Sequence, residues 1–356
     1  MSASDSIGAA WMEDDVYIAL MCMVFTVCVL VSLYRRQRRK VPPVLPPPQS
    51  FATWITDSSD VVRNLPLNQV AFPGSHNSGA YNICGNVVSG DCHASLVPYI
   101  QRLPFVSSFV ARWATCQRLS ITEQLQAGVR YLDIRVQAFP SGAPRVCHSL
   151  CSISLHECIA QVRAFLDEHP TELVILDVNH IYVTSPSQYI VIGEQLVDQL
   201  GRHCIARRSD SPSSCTLASL CQQRIQVVLV YHDQESALRL DLWGPSHIQS
   251  PWPRVADNVV QYAQTHLQGR NVSDDQLYVT QVVPTARPVD LLCHLNVLTF
   301  VRPLLIHALL WLQQLAEQRG DLPTLSAVNI VMVDDCGIDQ YAVIAAILNL
   351  NKAKTG

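Results

Sequence analysis

Several residues able to move protons or hold a phosphate stand at the ends of apolar runs. His76 lies in PGSHNS (73–78). Asp133 and Arg135 alternate with Leu132 and Ile134 in YLDIRV, and His148 closes RVCH. Asp177, Asn179 and His180 end VILDVNH, and Asp334 and Asp335 follow VNIVMV. In an extended strand residues two apart share a face, so Asp133 and Arg135 point one way and their apolar neighbours the other. Each piece alone has a plainer use, as a hydrogen-bonded structural histidine or a core ion pair. Together they form the set that cleaves a phosphodiester with an internal hydroxyl. One imidazole removes the proton of the attacking hydroxyl, the other protonates the leaving oxygen, and the guanidinium stabilises charge on phosphorus. Such chemistry requires no metal.

These groups need a scaffold that collects strand ends. Candidate strands run 69–72, 131–138, 145–147, 173–178, 225–231, 277–283 and 328–334, several apolar enough to be buried on both faces. Helical stretches lie between them. Ser154-Leu155-His156-Glu157 and Ser185-Pro186-Ser187-Gln188 fit capping boxes, the second with proline at the first helical position. Leu155, Ile159, Val162 and Leu166 recur at helical spacing, and Pro170 stops that helix. The alternation predicts an α/β fold, an irregular TIM-type (β/α) barrel, because no glycine-rich dinucleotide or phosphate loop is present. In such a barrel chemistry sits where strands end.

Composition narrows the ligands. The chain has 356 residues, 49% hydrophobic and 15% charged, with a formal net charge of −4, which leaves no basic footprint for nucleic acid. Lysine occurs only at Lys40, Lys352 and Lys354, so an anion held by the folded body meets arginine, histidine or backbone amides. Residues 1–15 form a short acidic segment. Residues 16–34 are free of charge and as a helix span roughly 28 Å at about 1.5 Å per residue, which predicts a single transmembrane helix. Residues 35–50 are a basic and proline-rich linker whose RRQRRK start places the main domain, 60–350, in the cytosol. The Asn271-Val272-Ser273 sequon would be glycosylated only in the opposite orientation. Beyond the anchor, 11 of the 13 cysteines follow no zinc pattern and read as buried thiols of a reducing compartment.

LPLNQVAFPGSHNSGAY (65–81), GVRYLDIRV (128–136), VCHSL (146–150) and ELVILDVNHIY (172–182) resemble, in order and spacing, the motifs of proteins carrying the phosphatidylinositol-specific phospholipase C X domain. The resemblance covers about residues 60–350 and is greatest to the small X-domain-containing proteins and the bacterial enzymes. It implies cleavage of an inositol phospholipid to diacylglycerol and an inositol (cyclic) phosphate. Carried over by position, His76 is similar to the general base and His148 to the general acid. Arg135 stands where bacterial enzymes use arginine and calcium-dependent ones use metal ligands. Asp133 resembles the carboxylate that holds Arg135 or His148, and Asp334 the one that fixes the tautomer of His76. No cofactor is implied. Two positions depart: Asn77 replaces the usual aspartate, as in the calcium-dependent branch where asparagine helps to bind metal, and Asn179 or His180 occupies the region of a ring-facing lysine. Gln281 and Trp252 are expected to line the pocket. Membrane phospholipid is the implied partner; an alternative is a weak or inactive X domain that binds a lipid headgroup or a protein. A glycerophosphodiester-type barrel would need a His-Arg-Gly stretch, which is absent.

Overall fold

The structure, a computed structural model, describes residues 47, 49–83, 85, 87–253, 258–317 and 322–355. The predicted transmembrane helix 16–34 and nearly all of the linker lie outside the described residues.

Nine strands carry the fold: β1 (Phe72–Ser75), β2 (Tyr131–Gln137), β3 (Arg145–His148), β4 (Leu150–Ser154), β5 (Val174–Tyr182), β6 (Val227–Tyr231), β7 (Ile248–Gln249), β8 (Leu277–Val282) and β9 (Ile330–Val333). Hydrogen-bonded neighbours run β7-β8-β9-β1-β2-β5-β6, all parallel, and β3 and β4 extend from β2 as an antiparallel hairpin. No ladder joins β6 to β7 among the described residues. The ring of an α/β barrel is therefore present but not closed by hydrogen bonds.

Alternation along the strands explains both layers. Leu132, Ile134 and Val136 of β2, Val174, Leu176 and Val178 of β5, and Val227 and Leu229 of β6 belong to one core. The helices α1 (Leu155–Glu168), α2 (Ser187–Leu200), α3 (Val259–Gln268), α4 (Val297–Glu317) and α5 (Ala342–Thr355) bury their apolar stripes in that same core. The opposite faces fill the barrel: Phe72, Tyr131, Ile175, Val228, Val230, Val279, Ile330 and Met332 meet Trp54, Leu67 and Trp243 there. The inward face changes character toward the strand ends, from Tyr131 through Asp133 to Arg135 and from Ile175 through Asp177 to Asn179. That change creates a polar rim above an apolar plug. Gly74 is required in β1, since a Cβ there would stand 2.9 Å from the Tyr131 ring and 3.3 Å from the Val331 carbonyl.

The lower end is fixed by a buried ion pair. Arg130 and Glu172 have 0% exposed side chains and meet at 2.8 Å and 3.0 Å. The guanidinium also donates to the carbonyls of Leu125, Val129 and Ala52, and the carboxylate accepts from the Thr56 amide and hydroxyl. Every charged atom finds a partner, so the N-terminal turns, β2 and β5 are tied together.

Several expectations shift. The first strand starts at Phe72, not 69, because residues 67–69 form a 3-10 turn that Pro66 opens. The β4 strand and the two-residue β7 were not predicted; both are short and lack a clear period. Each expected capping box forms by half. Ser154 accepts from the Glu157 amide without the reciprocal bond from the Glu157 carboxylate, whereas Gln188 reaches back to the Thr184 and Ser185 amides while the Ser185 hydroxyl pairs with Ser187 and Pro186 is the N-cap. Trp54 and Ile55, ahead of residue 60, are buried, and α5 runs on to Thr355. Among the described residues α4 is long and apolar enough to cross a bilayer, but it buries Val297, Val301, Leu305, Ala308, Trp311, Leu312 and Leu315 as a core stripe. Cys116, Cys147, Cys151 and Cys158 are buried free thiols, and Cys84 lies outside the described residues. In the segment 286–295, the Asp290 carboxylate accepts from the Arg287 amide at the start of a short helix, Pro288–Cys293.

Candidate active site

His76 sits where β1 ends. Its amide donates to the Val333 carbonyl at 2.9 Å, which sets its ring beside Asp334 on the neighbouring strand end. Nδ1 meets the Asp334 Oδ1 at 2.7 Å. A carboxylate accepts only, so this contact places the proton on Nδ1 and makes Nε2 the acceptor. Asn77 then turns the chain away with φ 44°, a left-handed geometry that asparagine tolerates. Its amide donates to the Asp133 Oδ2 at 2.8 Å. Gln117, unforeseen from the sequence, clamps this corner by donating to the His76 and Val333 carbonyls and accepting from the Cys336 amide.

Arg135 projects from β2 beside His76, with Nη2 3.5 Å from His76 Nε2 and Nη1 3.7 Å from the Asp91 carboxylate. Its Nε is buried and has no hydrogen-bond partner. Burial works against its charge, but Asp133 and then Asp91 outweigh that and hold the guanidinium more firmly protonated than usual. Asp133 is buried, which pushes its pKa up; Arg135, His76 and hydrogen bonds from Asn77 and Asn179 prevail and leave it below the usual carboxylate range.

His148 ends β3 at a one-residue turn, Ser149 with φ 58°, whose amide is held by Asp91. Its Nδ1 lies 2.9 Å from the Ala114 carbonyl, which accepts, so Nδ1 carries hydrogen and Nε2 is the exchangeable position. The ring centres of His76 and His148 are 6.2 Å apart, at 67°. Burial, then the charges of Arg135 and His76, press the His148 pKa below the ordinary histidine value. An NMR titration of the ring protons should therefore give His148 an apparent pKa under about 6.5, and Arg135→Met should raise it. An unchanged value in that variant would refute the electrostatic coupling.

A β-bulge completes the rim. Ile134 pairs with Val178 but Arg135 pairs with His180, so Asn179 is the extra residue of β5. Asn179 donates to Asp133 and accepts from His180 Nδ1 at 2.7 Å. One strand further, His232 follows β6 and meets Asp177 at 2.8 Å as an ion pair, while Tyr131 donates to the other oxygen of Asp177 at 2.6 Å. Burial lowers the His232 pKa, but its hydrogen-bonding and charge interactions with Asp177 carry it above the ordinary value. Tyr182 stacks on His180, and burial is the main reason its phenol is pushed up to about 12.

The structure thus brings together His76, Asn77, Asp133, Arg135, His148, Asn179, His180 and Asp334. Gln281 lies near the end of β8 and hydrogen-bonds Ser250, and Trp252 is 55% exposed, its carbonyl accepting from Tyr262. Neither shares a hydrogen bond or ring contact with the cluster. Sequence reading missed Asp91, Cys116, Gln117 and His232. Only His232 had a signal, since it directly follows an apolar strand.

Comparison with known proteins finds the same resemblance. The phosphatidylinositol-specific phospholipase C X domain matches residues 109–232, a stretch that holds Asp133, Arg135, His148, Asn179, His180 and His232. Over that stretch the chain is similar to the phosphatidylinositol-specific phospholipase C X domain. It is 28% identical over 241 residues to human PI-PLC X domain-containing protein 2, covering 66% of this chain and 78% of that one. It is 32% identical over 154 residues to the variant-surface-glycoprotein phospholipase C of Trypanosoma cruzi, 39% of this chain and 38% of the other. In fold it is similar to the phosphatidylinositol-specific phospholipase C of Listeria monocytogenes, with TM-score 0.59 and 14% identity over 84% of this chain and 98% of that one. Names of the X-domain relatives state a domain, not an activity.

Around Asn77 the donors are an imidazole, a thiol and carboxylates, with a guanidinium alongside. Calcium takes six to eight oxygen ligands, so this set does not fit it.

Proposed function

We propose that the chain is a membrane-anchored phosphodiesterase that cleaves inositol phospholipid to diacylglycerol and an inositol (cyclic) phosphate. The observation that carries this reading is the pair of imidazoles 6.2 Å apart with the Arg135 guanidinium between carboxylates beside them. One imidazole supplies the base and the other the acid, each needing to come within about 2.6–3.2 Å of the oxygen it serves. His76 Nε2 takes the proton of the ring 2-hydroxyl, whose oxygen attacks phosphorus. His148 Nε2–H gives its proton to the diacylglycerol oxygen as the P–O bond breaks. Asp334 holds the His76 tautomer and stabilises the imidazolium. Arg135 supplies the positive charge that a metal supplies elsewhere, and its unpartnered Nε is a donor suited to a phosphoryl oxygen. The bulged Asn179 and its neighbour His180 would contact the inositol ring, and residues 16–34 would anchor the chain to a membrane.

Product analysis on vesicles of several phospholipids, with and without chelator, tests the reaction. Chelator-resistant release of inositol phosphates from phosphatidylinositol is expected. Arg135→Met should lower turnover about 10²–10³-fold, the scale for losing one transition-state donor. Retained activity in that variant would remove Arg135 from the mechanism.

A second reading rests on one contact. Asn77 Nδ2 lies 3.0 Å from His76 Nε2, on the lone pair the base must use. An X domain held in this way binds a headgroup without turning it over. Vesicle binding that depends on inositol lipid, with no product, would favour it.

A further inference from the structure

We infer that His76, Cys116 and Asp334 form a binding site for one zinc-class divalent ion, and that its occupation silences the catalytic base. A nitrogen, a sulfur and a carboxylate oxygen, one from each residue, all lie within 4.8 Å of one another. Ligands at about 2.0–2.3 Å from a tetrahedral zinc stand roughly 3.5 Å apart, so small side-chain shifts suffice. The three residues come from separate segments: the end of β1, the loop after the helix Pro104–Ala114, and the end of β9. The mechanism uses the histidine and the aspartate but has no task for the thiol.

Chemistry selects the ion. Imidazole, thiolate and carboxylate are the donor types of zinc and its borderline-soft neighbours, not of calcium or magnesium. Three protein ligands leave a fourth position open. The second observation comes from Asn77, which is 2% exposed and has a side-chain oxygen without a hydrogen-bond partner, while its amide nitrogen stands 3.5 Å from the Cys116 sulfur and 3.0 Å from His76 Nε2. Turned over end for end, the Asn77 amide would present that oxygen to the ion in place of its nitrogen. Thiolate and carboxylate together balance the two positive charges of the ion, which offsets the nearby Arg135.

Binding has a definite proton balance. The Cys116 thiol proton leaves to solvent as sulfur joins the metal. If the ion takes Nδ1 in place of the hydrogen shared with Asp334, the imidazole proton moves to Nε2; if it takes Nε2, the lone pair is consumed. In both cases the base nitrogen can no longer accept a proton. The silencing half rests on the proposed role of His76, whereas the binding half stands without it.

Full-length reduced protein in detergent, freed of metal, should be titrated with Co²⁺ and then Zn²⁺. One equivalent of Co²⁺ with thiolate-to-cobalt absorption, displaced by Zn²⁺, is expected. Cys116→Ser should abolish that absorption and weaken Zn²⁺ binding at least about tenfold, given that even outer partners of ligands are worth 10–100-fold. Cys221→Ser should change neither. Absence of stoichiometric binding, or absorption unchanged in Cys116→Ser, would overturn the site. Should Cys116→Ser fail to fold, X-ray absorption of the zinc-loaded wild type decides: sulfur at about 2.3 Å supports the site and an all nitrogen and oxygen shell rejects it. If phosphatidylinositol is cleaved, Zn²⁺ should inhibit, and Cys116→Ser should lose sensitivity in proportion to affinity; equal sensitivity would reject the silencing half alone. Stoichiometric binding without any cleavage would sink the phosphodiesterase reading and leave the metal site intact.

Discussion

Replacing either His76 or His148 by alanine is expected to cut phosphatidylinositol turnover by about 10²–10⁴-fold, the usual worth of a positioned acid or base. The two losses should not add. Both imidazoles serve one proton relay, so the double variant should be little worse than the poorer single one. Asp334→Asn should act through His76, because an amide no longer favours hydrogen on Nδ1 or stabilises the imidazolium. Equal background release from wild type and both alanine variants, with folding verified by circular dichroism, would dismiss catalysis and favour headgroup binding.

The largest effect on stability is expected far from that rim. Glu172→Ala leaves Arg130 charged at a site with 0% side-chain exposure and removes the acceptor of the Thr56 amide and hydroxyl. Breaking one side of a fully buried pair costs about 3–5 kcal/mol. Urea unfolding should show a large fall in midpoint with little change in slope. Arg130→Met combined with Glu172→Leu should recover much of the loss, since an apolar pair of similar volume removes the stranded charge. A Glu172→Ala variant within 1 kcal/mol of wild type, roughly the cost of an ordinary surface change, would show that water reaches Arg130.

Much of the site was legible because barrel chemistry collects at strand ends, and His76, Asp133, Arg135, His148 and Asp334 all stand there. Element type was readable wherever apolar runs were long. Boundaries were not, as β1 shows: Pro66 and the 3-10 turn displaced its start by a few residues. The second capping box forms only by half: Gln188 reaches back to the Ser185 amide, but the Ser185 hydroxyl pairs with Ser187 instead of the Gln188 amide. Asp91 and Cys116 were invisible, since each sits in a loop whose path is set by tertiary packing. Gln281 and Trp252 carry no motif of their own, and only the resemblance points to them.

The missing ladder between β6 and β7 has a mechanical meaning. Seven parallel strands make a split collar, and β1, with the base at its tip, is the middle strand of the seven. Opening such a collar displaces its free lips most and its back least. His76, Arg135 and Asp334 stand on that back, at β1 and its two neighbours, so they lie where any such opening moves strands least.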